Sequence, residues 1–157
     1  MARGAGAVFD PSGRYRYRLT RRWAGRGAVV AFVMLNPSTA DGERDDPTIR
    51  RCAGFARRWG FAAMTVVNVF ALRATDPARL RRARDPVGPG NDGHIAGAAA
   101  DADLVVLAWG NHGALRGRDR EVVALLAGAR PVCLGVTRGG QPRHPLYLPR
   151  SARRRPY

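Results

Sequence analysis

The side chains with the clearest chemical use stand where apolar runs stop. Asn36 follows Val29–Leu35, Asn68 follows Thr65–Val67, and Asn111 with His112 follows Leu104–Trp109. A fourth run, Val132–Leu134, leads to Thr137, Arg138, Arg143 and His144. A carboxamide carries donors and an acceptor on one planar group, which is what reading the edge of a nucleobase requires. Asn68 lies inside Thr65-Val66-Val67-Asn68-Val69-Phe70, where an unpartnered amide costs roughly 1–3 kcal/mol. It must therefore find partners, either in the protein as a structural asparagine or in a ligand. In Asn36-Pro37 the proline ring fixes the backbone, so the Asn36 amide either projects past the strand end or closes an Asx-turn there. His144 is framed by Pro142 and Pro145 beside Arg143, a rigid placement suited to stabilising negative charge. His112, in a turn, has no such frame. The glycine-rich pieces Gly88–Gly93 and Arg138-Gly139-Gly140 lack the spacing of a Walker or dinucleotide loop. Cys52 and Cys133 show no C-x-x-C spacing, so both are expected as buried small hydrophobes, and no metal or cofactor is expected.

These groups need elements that bring them together. Tyr15-Arg16-Tyr17-Arg18-Leu19 alternates at the strand period, and Ala24-Gly25-Arg26-Gly27 turns the chain into the apolar run Ala28–Leu35. The two are expected to form an antiparallel hairpin. Asp46-Pro47 supplies a cap and a first-turn proline for a helix with Ile49, Cys52, Ala53, Ala56 and Trp59 at helical spacing, stopped by Gly60. Strand Ala62–Phe70 follows, then a short helical turn opened by Asp76-Pro77, the loop Asp85–Gly90, a helix capped by Asn91 and strand Leu104–Ala108. Leu115–Ala129 reads as an amphipathic helix and Pro131–Leu134 as the last core strand. Continuous apolar strands alternating with helices predict an α/β fold with a mainly parallel sheet covered on both faces. In such a sheet ligands bind beyond the carboxyl ends of the strands, where the polar clusters fall.

Composition narrows the partners. At 157 residues and 45% hydrophobic content, one domain spanning 1–157 with a genuine core is expected. The apolar stretches fall short of the roughly 20 residues that cross a bilayer, and residues 1–4 lead into polar sequence with no signal core. A cytoplasmic monomer without membrane contact is the expectation. All 27 basic residues are arginine and the formal charge is +15. Planar, bidentate donors in this excess favour phosphate backbones, so a nucleic acid, most simply DNA, is the expected partner. The tail Ser151–Tyr157, with three arginines, is expected to be mobile.

In order and placement, the Asn36-Pro37 turn, Asn68, Leu107-Ala108-Trp109-Gly110 and His144-Pro145-Leu146 resemble the successive motifs of the uracil-DNA glycosylase superfamily: G-Q-D-P-Y-H or G-x-N-P-G, L-L-N, L-L-W-G and H-P-S-P-L. Three further stretches, Met34–Asp41, Asp46–Cys52 and Arg143–Tyr147, resemble more closely a bacterial family catalogued as domain of unknown function 1643. The superfamily resemblance implies a three-layer α/β/α sandwich around a four-stranded parallel sheet, here with an extra N-terminal hairpin strand, and base flipping into the crevice. It implies that Asn36 positions water, Asn68 reads the base and His144 stabilises the departing base. Pro37 and Ser38 would line the base site, Phe70 or Trp109 would stack on the base, and Thr39, Asn111, His112, Thr137, Arg138 and Arg143 would touch the nucleic-acid backbone. Asn36 replaces the aspartate of other members and Ser38 replaces a bulky tyrosine that excludes 5-methyl groups, which points toward an altered or bulky base. The expected activity is hydrolysis of an N-glycosidic bond. The alternatives are a non-catalytic nucleic-acid or nucleotide-binding module, and an enzyme acting on a free nucleoside or a modified RNA base.

Overall fold

The computed structural model describes residues 4–157. One seven-stranded sheet runs through the molecule in the order β1-β2-β4-β3-β5-β6-β7, with β1 at Gly4–Phe9, β2 at Arg16–Arg22, β3 at Val29–Met34, β4 at Ala63–Asn68, β5 at Leu104–Leu107, β6 at Val132–Cys133 and β7 at Arg155–Pro156. The central strands β4, β3, β5 and β6 are mutually parallel, while β1, β2 and β7 join antiparallel. The α/β reading with a parallel centre therefore holds, but three of the six strand pairings are antiparallel, in a sheet of seven strands where four plus a hairpin strand were expected.

β3 shows why its sequence is continuously apolar. Val30, Phe32 and Met34 face one side, where they join Met64, Val66 and Val106 under Ile49, Cys52, Phe55 and Ala56 of helix α1 (Pro47–Arg58). Ala31 and Val33 face the other, with Val67, Val105 and Leu107, under Ile95 and Ala98 of α3 (Asn91–Ala100), Val122 of α4 (Arg118–Leu125) and Leu80 of α2 (Pro77–Arg82). Alternate side chains leave opposite faces of a strand, so covering both faces requires apolar residues at every position. Each large side chain so buried contributes roughly 1.5–3 kcal/mol.

α1 follows its sequence signals closely. Asp46 accepts the Ile49 N–H at 2.9 Å, Pro47 occupies the first turn, and Gly60 adopts a φ of 85° just beyond the last turn, the left-handed conformation that glycine takes without steric cost.

Four expectations are corrected. β2 does not pair with β3: it lies antiparallel to β4, with Leu19 opposite Val66, and its hairpin partner is β1. The linker crosses the end of β4 instead of turning back, because the Trp23 and Ala24 N–H groups donate to Ala62 O and the Trp23 indole donates to Phe61 O. Asn91 does not cap α3. Gly90 occupies that position with φ 75°, and the Asn91 side chain turns inward to β4. The helix expected over Leu115–Ala129 is broken into a 3-10 turn at Asn111–Gly117, α4, and a second 3-10 turn at Ala127–Ala129, since Arg116 and Gly117 both take positive φ. The tail is tied down: β7 pairs with β6, the Tyr157 hydroxyl donates to Gly140 O at 2.9 Å, and the Arg154 guanidinium lies over the Trp59 ring.

No helix among the described residues is long and apolar enough to cross a membrane. Cys52 and Cys133 are free and buried, and burial pushes the Cys52 thiol well above its ordinary range.

Candidate active site

A cavity of about 200 Å³ opens at the carboxyl ends of β3 and β4, and Asn36, Ser38, Asn68 and His144 all line it. Its volume is below the roughly 300–1,000 Å³ of sites for drug-sized molecules, which suits a single ring. The apolar wall comes from Met34, Leu35, Ile49 and Val66. Met34 and Asn68 are register partners across β3 and β4, so the two strand ends set the depth of the pocket together.

The Asn36 side chain has one possible role toward a ligand. Its Nδ2 donates to the carbonyl oxygens of Pro37 at 3.0 Å and Ala74 at 2.8 Å, which uses both amide hydrogens and fixes which way the amide points. Only Oδ1 is left to act on a ligand, as an acceptor. Pro37 is buried outside the cavity lining and serves through its carbonyl, which also accepts the Ala74 N–H.

Asn68 is held from behind. Asn91 Nδ2 donates to the backbone oxygens of Asn68 at 2.9 Å and Val69 at 3.4 Å, and Arg118 Nε donates to Val69 O at 2.7 Å. Arg118 is in turn paired with Asp92 and Glu121. This clamp takes the backbone at the end of β4 and none of the Asn68 amide. The Asn68 side chain is 1% exposed, and neither its Nδ2 nor its Oδ1 has a hydrogen-bond partner among the described residues. Leaving both ends of a buried amide unpaired costs roughly 1–3 kcal/mol or more.

His144 enters from the loop after β6. Its Nδ1 accepts the Leu146 N–H at 3.2 Å, and burial pulls its pKa below the ordinary histidine value. A neutral ring whose Nδ1 is an acceptor carries its proton on Nε2, so His144 offers the cavity a hydrogen-bond donor. The loop is anchored by groups far apart in sequence. Gly110 N donates to Pro142 O at 2.8 Å, and the Trp109 indole N–H donates to Gln141 Oε1 at 2.8 Å.

Trp109 and Phe70, expected as stacking residues, are placed elsewhere. Both lie in the core on the face away from α1 and line no part of the cavity; Trp109 anchors the loop that carries His144. No Phe, Tyr or Trp lines the cavity among the described residues. The exposed aromatic nearest in the chain is Tyr147, whose ring centroid is 5.7 Å from that of His144. Thr39, Asn111, His112, Thr137, Arg138 and Arg143 also lie outside the cavity lining. All are exposed except the half-buried Thr137, which donates to Asn111 Oδ1 at 2.6 Å and so ties the ends of β5 and β6 together.

Among the cavity residues not singled out as site residues in the sequence, two are charged, Arg16 and Asp46. Arg16 of β2 reads there as one polar member of an alternating strand, and Asp46 reads as a helix cap. Asp46 does cap α1, and its second oxygen accepts Ala40 N–H at 3.3 Å, so one carboxylate links the Asn-Pro loop to the helix on the cavity wall. A larger groove of about 590 Å³ lies on the outer side of α1, lined by Arg50, Arg51, Arg58 and Arg150 with Leu146. It shares the first turn of α1 and the His144–Tyr147 segment with the cavity. None of its four arginines pairs with a carboxylate among the described residues.

No curated protein and no solved structure matches the chain. A family model does match, over residues 16–146, a span that begins at Arg16 and includes Asn36, Asp46, Asn68 and His144. The chain belongs to the family described as Protein of unknown function (DUF1643).

Proposed function

We propose that the cavity is the base pocket of an N-glycosidic hydrolase acting on a flipped, modified or damaged base of a nucleic acid, most simply DNA, with a fold of the uracil-DNA glycosylase kind. One observation carries the reading: Asn68, whose buried amide has donor and acceptor both unpaired, is one of the residues lining a one-ring cavity that also holds Asn36 and His144. A base edge bearing an acceptor beside a donor satisfies both ends of that amide.

The chemistry follows from what each group can still offer. Asn36 Oδ1 accepts a hydrogen bond from water and orients it toward the anomeric carbon. The water oxygen bonds to that carbon as the carbon–nitrogen bond breaks, and the electron pair leaves with the base. His144 Nε2–H donates to the departing base. An amide is no general base, so the water proton passes to solvent or to the released base, and bases that leave easily as anions are favoured. Ser38, small and at the cavity wall, leaves room for a 5-substituent. The four arginines beside α1 supply donors for phosphates flanking the flipped nucleotide.

The test is base release from a panel of labelled DNAs carrying uracil, 5-substituted uracils and deaminated or alkylated purines. Asn36→Ala is expected to slow release about 100-fold or more while leaving DNA affinity within a few-fold. DNA binding without release from any member of the panel would make the protein a binding module.

A further inference from the structure

We propose that Arg16 is the charge-receiving residue of the pocket, and that the ligand class of the cavity is a planar ring carrying negative charge on the edge near this guanidinium. The inference rests on reading the cavity as a base pocket, and it identifies which kind of ring the pocket prefers.

Arg16 is 2% exposed and lines the same cavity as Asn68. A guanidinium has five N–H donors; here one, on Nη1, meets the Ala40 carbonyl at 2.9 Å, and the buried Nε has no partner. No carboxylate comes within ion-pair distance among the described residues. Asp46 and, less strongly, Asp41 favour the charge through space, but the Asp46 oxygens are engaged by the Ile49 and Ala40 N–H groups, and the Arg73 and Arg21 guanidiniums act in the opposite direction. Burial pushes Arg16 down to about 10, which leaves it charged at neutral pH.

A buried charge without a partner is costly, and proteins normally pair it or neutralise it. Contrast Arg118, equally buried, whose three nitrogens are all engaged by Val69 O, Glu121 and Asp92. Arg118 is a finished structural arginine. Arg16 lines the cavity with its buried Nε unpaired, and Asn68 lines it with both ends of its amide unpaired. Two unsatisfied buried groups on one 200 Å³ space define one ligand: a ring with a donor–acceptor edge for the amide and anionic acceptors for the guanidinium. In the hydrolysis proposed above, the base holds such a charge once the electron pair of the carbon–nitrogen bond has left with it.

Two probes of similar size separate charge from shape. Barbiturate is a pyrimidine ring ionised at neutral pH, and uracil is its neutral counterpart. Calorimetric titration of the full chain at pH 7 is expected to show barbiturate binding at least 10-fold more tightly than uracil, with one ring per protein, and to shift the Asn68 side-chain amide resonances. Arg16→Met is expected to erase the preference, and Arg16→Lys, which keeps a charge, to retain part of it. Equal affinity for the two rings, binding of neither, or barbiturate binding that leaves the Asn68 resonances unmoved would overturn the proposal, and none of these needs a variant to fold. A preference surviving in folded Arg16→Met would do the same. Base release from DNA is scored separately, so a hydrolase lacking the anion preference and an anion pocket lacking hydrolase activity give different results.

Discussion

At the scale of single residues, the site is defined by groups left unsatisfied as much as by groups present. Arg118 uses all three of its nitrogens on protein partners and Asn91 uses its Nδ2, leaving Oδ1 unpaired, while Asn68 uses neither end of its amide. A buried amide with both ends unpaired costs stability, and that gives a direct prediction. Asn68→Leu removes two unpaired buried polar atoms and keeps a similar shape, so the unliganded protein should become more stable by about 1–3 kcal/mol, read as a higher unfolding midpoint. Ring binding and base release should be lost in the same variant. A drop in stability would mean that the amide is satisfied in solution and is structural. Asn36 was legible in sequence as a strand-end amide. That its Nδ2 is spent on Pro37 O and Ala74 O, leaving an acceptor alone, depends on a carbonyl 38 residues away.

At the scale of elements, His144 is aimed by residues that lie outside the cavity lining. The His144 loop hangs from Trp109 through Gln141, and Gln141 is itself held by Asp119 at 2.9 Å. Gly113 packs against the face of that indole so closely that a Cβ there would overlap the ring. Gly113→Ala should therefore displace Trp109, costing about 1–3 kcal/mol as overpacking does, and should slow base release more than it weakens DNA binding, because His144 moves while Arg50, Arg51 and Arg58 stay in place on α1. Unfolding midpoints and a split between release rate and affinity check this. The helix α1, its proline and its stop were legible because capping is a local matter of hydrogen bonds within a few residues. The sequence of the α4 region reads as one helix because the apolar spacing continues through Arg116 and Gly117, whose positive φ values break it in the structure.

At the scale of the whole molecule, a charge of +15 borne entirely by arginine must be placed somewhere. Arg50, Arg51 and Arg58 of α1 with Arg150 line a groove that shares the first turn of α1 with the pocket. Affinity for duplex DNA should fall steeply with salt, with a slope of about −0.9 per phosphate neutralised. Removing two of these charges in Arg50→Gln/Arg58→Gln should flatten the slope by roughly 2. Salt-independent affinity would remove nucleic acid as the partner. The sequence by itself determined the α/β class, the parallel centre, the α1 cap and the amides and histidine that meet at the strand ends, because hydrophobic period and turn chemistry act over a few residues. Only the tertiary structure decided that β2 crosses to β4, that β7 closes the far edge, that Phe70 and Trp109 belong to the core, and that Arg16 enters the pocket. Those outcomes depend on which strand lies beside which and on which buried atoms find partners across tens of residues, and no local pattern records either.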